Sequence, residues 1–205
     1  MATNTYGRVT AGLAGLATTA ALVLTGAAPA GAQTVGRDDS GADVFTWDTS
    51  ASPATVTPSS RTTNVAVERV VVKHTRSAFV VATQMSSLAR NGDYFYLNAV
   101  LTLPDETTYS SFLVVEPDDR NGRSVLQSPA GGSTIACRTM THTVDYRADR
   151  LRLVVPRSCF GAPASFQVSG AVIDYPAGAP GGRVHVDQLF SETRSSVKTE
   201  PLARG

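Results

Sequence analysis

Residues 94–103 carry an apolar side chain at every second position, and this pattern restricts the fold more than any other feature of the chain. An alternation of period two is typical of a β-strand that buries one face and leaves the other face open. The sequence therefore predicts a half-buried strand here. Its buried face would carry Phe95, Leu97, Ala99, Leu101 and Leu103, and its other face Tyr94, Tyr96, Asn98, Val100 and Thr102.

Further segments have strand character, and turn signals separate them at intervals of about 8–12 residues. No long amphipathic helix is visible, so we predict an all-β fold, an antiparallel β-sandwich or barrel of about nine strands. The last segment is expected to be an edge strand. The segments are 65–74, 78–85, 94–103, 108–116, 124–127, 134–146, 151–156, 166–175 and 184–190.

The segments on either side of these strands, 33–64 and 191–205, have a different composition. Residues 33–64 are predicted to be irregular, apart from a short first strand at 44–47, because 50–63 is rich in Ser, Thr and Pro. Residues 191–205 have several charges but only one Val and one Leu, so we predict a disordered tail. The sandwich core is then 65–190, as a single domain.

Residues 1–32 have the three parts of a secretory signal peptide. Arg8 is their only charge, an apolar run follows it, and small residues end the segment. The best cleavage site is Ala30-Gly31-Ala32, and Ala28-Pro29-Ala30 is the second choice. The alternative is an uncleaved membrane anchor, for which a run so rich in Ala, Gly and Thr is poorly suited. We therefore expect a secreted, extracellular protein with no membrane span after cleavage.

The charge balance argues against polyanionic partners. The chain has 18 Lys and Arg and 17 Asp and Glu, and cleavage would remove only Arg8, leaving 17 of each sign. A nucleic-acid-binding domain usually has an excess of basic residues. We expect no nucleic-acid partner, and the oligomeric state stays open.

The two cysteines, Cys137 and Cys159, are predicted to form a disulfide. Cysteines of exported proteins usually pair, and two thiols with His142 nearby are too few ligands for a structural zinc ion. The bond would centre the hairpin of 134–146 and 151–156 on Ala148, whereas matching the apolar faces centres it half a residue later. Either a β-bulge intervenes or the cysteines are neighbours without being directly opposite.

Motifs of catalysis are absent from the sequence. It has no nucleophile elbow, zinc-protease motif, phosphate-binding loop or dinucleotide fingerprint. A Ser/His/Asp site is assembled in space, so a hydrolase stays open as the third hypothesis. His185 and Asp187 would share a strand face, which simple alternation explains, and His74 is expected at a solvated strand end. We predict a non-enzyme without a catalytic residue, cofactor or metal.

Two acidic clusters have the oxygen ligands that calcium prefers. One consists of Asp38, Asp39 and Asp43, and the other of Asp118, Asp119 and Asn121. Neither matches the twelve-residue calcium loop, and turn formation explains both. A calcium ion at the turn of 38–43 stays an open alternative.

Aromatic side chains are the candidates for ligand binding. Trp47 is the only tryptophan, and Tyr94 and Tyr96 lie on the face opposite the apolar one. Aromatic rings on a sheet can stack on sugar rings whose hydroxyls reach polar neighbours. The alternative is that a second sheet covers this face.

Several segments resemble a group of secreted β-sandwich proteins of high-GC Gram-positive bacteria, a group without an established function. The resemblance covers most of 38–175 and implies a jelly-roll sandwich of the type found in carbohydrate-binding modules. These motifs are structural and imply no active site. They are DDSGADV at 38–44, VVVKHT at 70–75, CR at 137–138, DYRADRL at 145–151 and VVPRSC at 154–159.

Three functions are therefore expected in order of preference. The first is a secreted, non-enzymatic binding module that acts on polysaccharide at or outside the cell envelope. The second is a protein-interaction or inhibitor module that binds an envelope protein through the edge strand at 184–190. The third is the hydrolase.

Overall fold

A computed structural model describes residues 32–129, 132–178 and 182–205. Within these ranges the chain forms thirteen strands in two antiparallel sheets and one 3₁₀ helix, Arg157–Phe160. The prediction of an all-β, antiparallel sandwich is confirmed. The signal-peptide prediction falls outside the described residues except for Ala32. In the described parts of the chain, no helix has the length and apolarity needed to cross a membrane.

The strands follow one another in the order β1 (Gln33–Asp38), β2 (Phe45–Asp48), β3 (Thr55–Pro58), β4 (Val67–His74), β5 (Ala78–Met85), β6 (Tyr94–Thr102), β7 (Thr108–Val115), β8 (Arg123–Gln127), β9 (Thr141–Asp145), β10 (Arg150–Pro156), β11 (Ser165–Tyr175), β12 (Arg183–Gln188) and β13 (Leu202–Ala203). The small sheet has the order β1-β4-β5-β10-β9. The large sheet has the order β3-β2-β12-β11-β6-β7-β8, and β13 pairs with one end of β11.

The core lies between the two sheets and follows the alternation of β6. Phe95, Leu97, Ala99 and Leu101 are fully buried, as the pattern predicts. They belong to one cluster with the inward side chains of the small sheet, such as Phe79. Each large apolar side chain in this layer contributes about 1.5–3 kcal/mol through burial. The core therefore fixes which face of β6 is buried, and the face with Tyr94 and Tyr96 lies on the outside of the large sheet.

The small sheet contains both of the hairpins that were predicted at 65–85 and 134–156. β4 pairs with β5, and β9 pairs with β10 with Val144 opposite Leu151. Cys137 and Cys159 are disulfide-bonded, with their Cα atoms 5.7 Å apart. Both cysteines lie outside the paired residues of β9 and β10, so they are neighbours beyond the hairpin ladder. The bond closes a loop with a sequence separation of 22 residues.

The short first strand predicted at 44–47 is confirmed as β2, but the irregular segment predicted for the rest of 33–64 is wrong in two places, β1 and β3. β1 pairs with β4, β2 pairs with β12, and β3 pairs with β2. The composition of this segment is that of a loop, but β1 and β2 are paired by strands that come later in the chain, and β3 pairs with β2. Long-range pairing of this kind outweighs local strand propensity.

The disordered tail predicted for 191–205 is also wrong. Leu202 is fully buried and β13 pairs with Ser165 and Phe166 at the start of β11. His74, expected in solvent, is instead fully buried, and its Nδ1 lies 2.9 Å from the carbonyl oxygen of Leu202. Leu202 and the hydrogen bonds of Thr199 and Arg204 with Val168 and Ala164 hold this polar segment against β11 and the residue before it.

The predicted edge strand at 184–190 is an interior strand. β12 lies between β2 and β11, so its backbone groups are already paired with two neighbours. The edges are β1 and β9 in the small sheet and β3 and β8 in the large sheet. A partner strand cannot add to β12, so the expected binding of a protein through an edge strand at 184–190 is wrong.

Candidate functional site

The outer face of the large sheet is the candidate site. β6 turns Phe95 and its alternates towards the core, so Tyr94 and Tyr96 point away from the small sheet. Their ring centroids are 6.0 Å apart. The second sheet packs on the opposite side of β6, and both rings stay partly open to solvent.

Two neighbouring strands add further rings to this face. Tyr175 of β11 is the cross-strand partner of Tyr94, with ring centroids 5.3 Å apart. Phe112 of β7 lies 5.9 Å from Tyr96, and Tyr175 lies 6.1 Å from Tyr96. Tyr94, Tyr96, Phe112 and Tyr175 therefore form one connected aromatic platform.

Trp47 lies on the same face as the aromatic platform. It pairs with Val184 across β2 and β12, and Val186, two residues on, pairs with Ile173 of β11. Ile173 in turn pairs with Tyr96. Because directly paired residues share a face, the tryptophan and the platform lie on one side of the sheet.

The exposure of these side chains leaves them free for contact. Trp47 is 46% exposed and Tyr175 is 40% exposed, which is unusual for such large apolar groups. Exposed apolar surface concentrated on one face of a soluble domain is typical of an interaction site.

Two adjoining depressions follow the face. One has a volume of about 450 Å³ and contains Trp47, and the other has a volume of about 320 Å³ and contains Phe112. Tyr96 and Tyr175 border both depressions. Polar side chains complete their walls. They are Gln188 and Arg194 in the first depression and Arg123 and Gln127 in the second.

The phenol groups keep their protons at any physiological pH. Burial raises the pKa of both Tyr94 and Tyr96 above its ordinary value, with Glu116 and neighbouring tyrosines as further causes. Each O–H is therefore a hydrogen-bond donor as well as an acceptor. The face can combine stacking on flat rings with hydrogen bonds to hydroxyl groups.

The sequence-based candidates Trp47, Tyr94 and Tyr96 are thus brought together on one face. Tyr175 and Phe112 were missed as site residues, although both lie in predicted strands, 166–175 and 108–116. The place of Tyr175 depends on the β11–β6 register, which pairs residues about 80 positions apart, and no local pattern carries that information. Phe112 lies in the β6–β7 hairpin, opposite Asn98.

A second, polar cleft of about 810 Å³ lies on the other side of β2 and β12. His185 lines this cleft together with the charged residues Asp48, Arg61 and Arg183. Burial lowers the pKa of His185, and both arginines lower it further. The imidazole is therefore neutral at physiological pH.

The hydrogen bonds of His185 differ from those of a catalytic triad. Ser59 Oγ lies 2.9 Å and Thr46 Oγ1 lies 3.0 Å from the same ring atom, Nδ1. Asp174, the residue opposite His185 on β11, accepts a hydrogen bond from Arg61 Nε at 2.5 Å instead. A triad needs the hydroxyl and the carboxylate on opposite ring nitrogens, and these contacts do not supply that order.

Arg61 holds two buried carboxylates at the edge of the polar cleft. Its guanidinium binds both Asp93 and Asp174. Burial raises the pKa of Asp174 to about 7 despite Arg61. The pKa of Asp93 is lowered, because the Ala177 amide, Asn64, Asn91 and Arg61 together outweigh its burial. Arg61 is thus paired with the ionised Asp93, while a large fraction of Asp174 is protonated near pH 7.

The two acidic clusters have different surroundings. In the second, Asp119 Oδ1 accepts a hydrogen bond from the Gly122 amide at 3.2 Å, which is turn chemistry. In the first, Asp38 is exposed on β1, but Asp39 and Asp43 meet Asp187 of β12.

Comparison with known proteins finds no family model that matches this chain and no curated protein with a significantly similar sequence.

Proposed function

We propose that this protein is a secreted, non-enzymatic module that binds polysaccharide through the outer face of its large sheet. The observation that supports this most directly is the placement of Trp47, Tyr96 and Tyr175 on one open face. The C–H face of a pyranose ring stacks on an aromatic ring, and its equatorial hydroxyls extend sideways to polar groups. An exposed aromatic surface with polar neighbours supplies both interactions.

The length of the face favours a chain over a single sugar. Four inter-strand steps separate β2, which carries Trp47, from β7, which carries Phe112. At about 4.8 Å per step, the aromatic rings extend over roughly 19 Å. This distance spans several sugar rings, so the ligand we propose is a polysaccharide and not a monosaccharide.

The absence of enzymatic activity is part of the proposal. Its support is the sequence without catalytic motifs and the hydrogen bonds of His185, which join two hydroxyls to one ring nitrogen. Export is supported by the signal-like composition of residues 1–32 and by the disulfide of Cys137 and Cys159.

The experiment is a binding screen of the purified protein on insoluble cell-wall and plant polysaccharides and on a glycan array. Trp47→Ala and Tyr175→Ala are the test variants, because both side chains are exposed and their truncation leaves the core intact. Each is expected to weaken binding about tenfold, which corresponds to about 1.4 kcal/mol. The matched control is Val197→Ala, an exposed apolar residue of the C-terminal segment that lines neither depression.

Failure of the wild-type protein to bind every polysaccharide would refute this proposal. Binding that survives both test variants would place the sugar elsewhere on the molecule. A hydrolytic product released during the incubation would contradict the non-enzymatic part alone.

A protein partner is the second candidate, and the aliphatic half of the same face favours it. Val56 of the edge strand β3 is 37% exposed beside Trp47, and the buried side chains of Phe45, Val184 and Val186 line the same depression. Such a surface suits a protein interface. A pull-down from the envelope of the producing cell, with Val56→Asp as the variant that should lose the partner, separates this candidate from the polysaccharide.

A further inference from the structure

A group of three carboxylates lies where the chain crosses between the sheets. Asp39 follows β1 of the small sheet, Asp43 precedes β2 of the large sheet, and Asp187 belongs to β12. One carboxylate oxygen from each lies within 4.8 Å of the others. Asp187 is fully buried, so this is not a cluster on an exposed loop.

Most of the oxygens in this group have no hydrogen-bond partner among the described residues. Asp187 Oδ2 accepts a bond from the Val67 amide at 2.7 Å, and Asp39 Oδ1 accepts one from the Gly41 amide at 3.2 Å. The other four oxygens are buried and unpartnered. They are Asp39 Oδ2, Asp43 Oδ1, Asp43 Oδ2 and Asp187 Oδ1.

No basic side chain in the described ranges forms an ion pair with any of the three. Arg37, the nearest basic residue along the chain, instead donates to the carbonyl oxygen of Phe190 and to Glu192. Buried carboxylates without a counter-charge are strongly destabilising. The three carboxylates therefore need a positive charge, and the described residues of the protein do not supply it.

The geometry points to a calcium-binding site formed by Asp39, Asp43 and Asp187. Asp187 is fully buried with an unpartnered Oδ1, and one of its carboxylate oxygens lies within 4.8 Å of an oxygen of each of the other two carboxylates, which is the arrangement of ligands around a cation. A divalent ion would satisfy the four unpartnered oxygens together.

The donor set selects calcium among common cations. All three side chains offer hard oxygen ligands, whereas zinc favours nitrogen and sulfur donors. Calcium accepts six to eight oxygens in irregular geometry and magnesium requires a near-ideal octahedron. Ligands that come from a turn and from a distant strand suit the more adaptable ion.

The backbone around Gly41 allows this convergence. Gly41 has a φ of 61°, in the left-handed region, and it reverses the chain between Asp39 and Asp43. A Cβ at this position would lie 3.1 Å from Ser86 Oγ. The turn thus directs two carboxylates at β12, and a bound ion would hold β2 against it.

Protonation of the carboxylates is the alternative to a bound calcium ion, and the two alternatives can be distinguished by experiment. Burial is the main cause that raises the pKa of Asp39 to about 6 and that of Asp187 to about 8, with repulsion between the three carboxylates as a further cause. Protonated acids would need no metal. Calcium binding at neutral pH distinguishes the two.

The test uses the full chain after treatment with a chelator. Calcium and magnesium are titrated by calorimetry, and thermal unfolding is followed through the fluorescence of Trp47, which lies four residues after Asp43. We expect one calcium per chain. The Tm should rise by roughly 5 °C or more at a calcium concentration about 100-fold above the dissociation constant.

Two variants and a control complete the design. Asp43→Asn and Asp187→Asn should each weaken calcium binding at least tenfold, and Asp43 keeps the test valid if the buried Asp187→Asn does not fold. Asp118→Asn, an exposed residue of the other acidic cluster, should bind calcium as the wild type does. No heat and no change of Tm, equal affinity for magnesium, or unchanged binding by Asp43→Asn would overturn the calcium site.

Discussion

Tyr94 and Tyr175 are direct cross-strand partners on β6 and β11, with ring planes inclined at 71° to each other. An edge-to-face pair of this kind stabilises both rings in place by about 0.5–1.5 kcal/mol beyond their burial. Tyr94 therefore favours one position of the Tyr175 ring while Tyr175 stays open to solvent. A ring that is already ordered loses less side-chain entropy when a ligand stacks on it.

Stacking and hydrogen bonding at Tyr175 can be separated by two substitutions. Tyr175→Phe keeps the ring and should retain polysaccharide affinity within about threefold, whereas Tyr175→Ala should lose about tenfold. The affinities are measured by calorimetry on a soluble polysaccharide. If Tyr175→Phe lost as much as Tyr175→Ala, the hydroxyl and not the ring surface would be the main contact.

Removal of Arg61 should destabilise the fold. Arg61→Met would leave the ionised Asp93 and the ionised fraction of Asp174 buried without a counter-charge, and the loss of one partner from a buried ion pair costs about 3–5 kcal/mol. Chemical denaturation measures the change. The triple variant with Asp93→Asn and Asp174→Asn should recover much of the loss, since no charge is then left unpaired. A single variant as stable as the wild type would contradict the charge pairing.

Asp174 should make the free energy of unfolding depend on pH. Its buried carboxyl has a folded pKa of about 7, while an unfolded Asp titrates near 3.8. The folded state therefore binds more protons between these values, so the stabilisation is fully present below about pH 4 and is lost as the pH rises through about 7. Arg61 and Asp93 contact this group, and His185 lies opposite it.

The measurement compares the wild type with Asp174→Asn in urea at several pH values. The decline of stability from pH 4 to pH 7 should be smaller in the variant. Equal slopes in the two proteins would show that Asp174 is ionised in the folded state.

The C-terminal segment should contribute measurably to stability. Leu202→Ala removes a fully buried side chain next to His74 and Phe166 and should lower the free energy of unfolding by about 2–5 kcal/mol. Val197→Ala in the same segment is exposed and should change it by less than about 0.5 kcal/mol. Equal stabilities of the two variants would mean that the segment does not dock.

Local patterns in the sequence predicted much of this molecule. The alternation of 94–103 placed Tyr94 and Tyr96 on the outer face because strand geometry alone decides it. The hairpins were predictable because their strands are consecutive in the sequence. The bond of Cys137 with Cys159 was predictable because the chain has only two cysteines.

Long-range pairing was not predictable in the same way. The position of Tyr175 beside Tyr94, of Asp187 beside Asp43 and of Leu202 beneath β11 depends on strand order. Each of these contacts joins segments that no local periodicity relates. The free energy that selects among strand orders comes from the whole core, so a single segment does not reveal it.

The most direct test of the proposed function uses the fluorescence of Trp47, the only tryptophan in the chain. Because Trp47 lies on the proposed binding face, titration with a soluble polysaccharide that the protein binds should change its emission in a saturable way, with the midpoint at the dissociation constant. The same titration of Tyr175→Ala should require about tenfold more ligand. Binding that is detected by sedimentation or calorimetry while the emission of Trp47 stays constant would contradict polysaccharide recognition by this face.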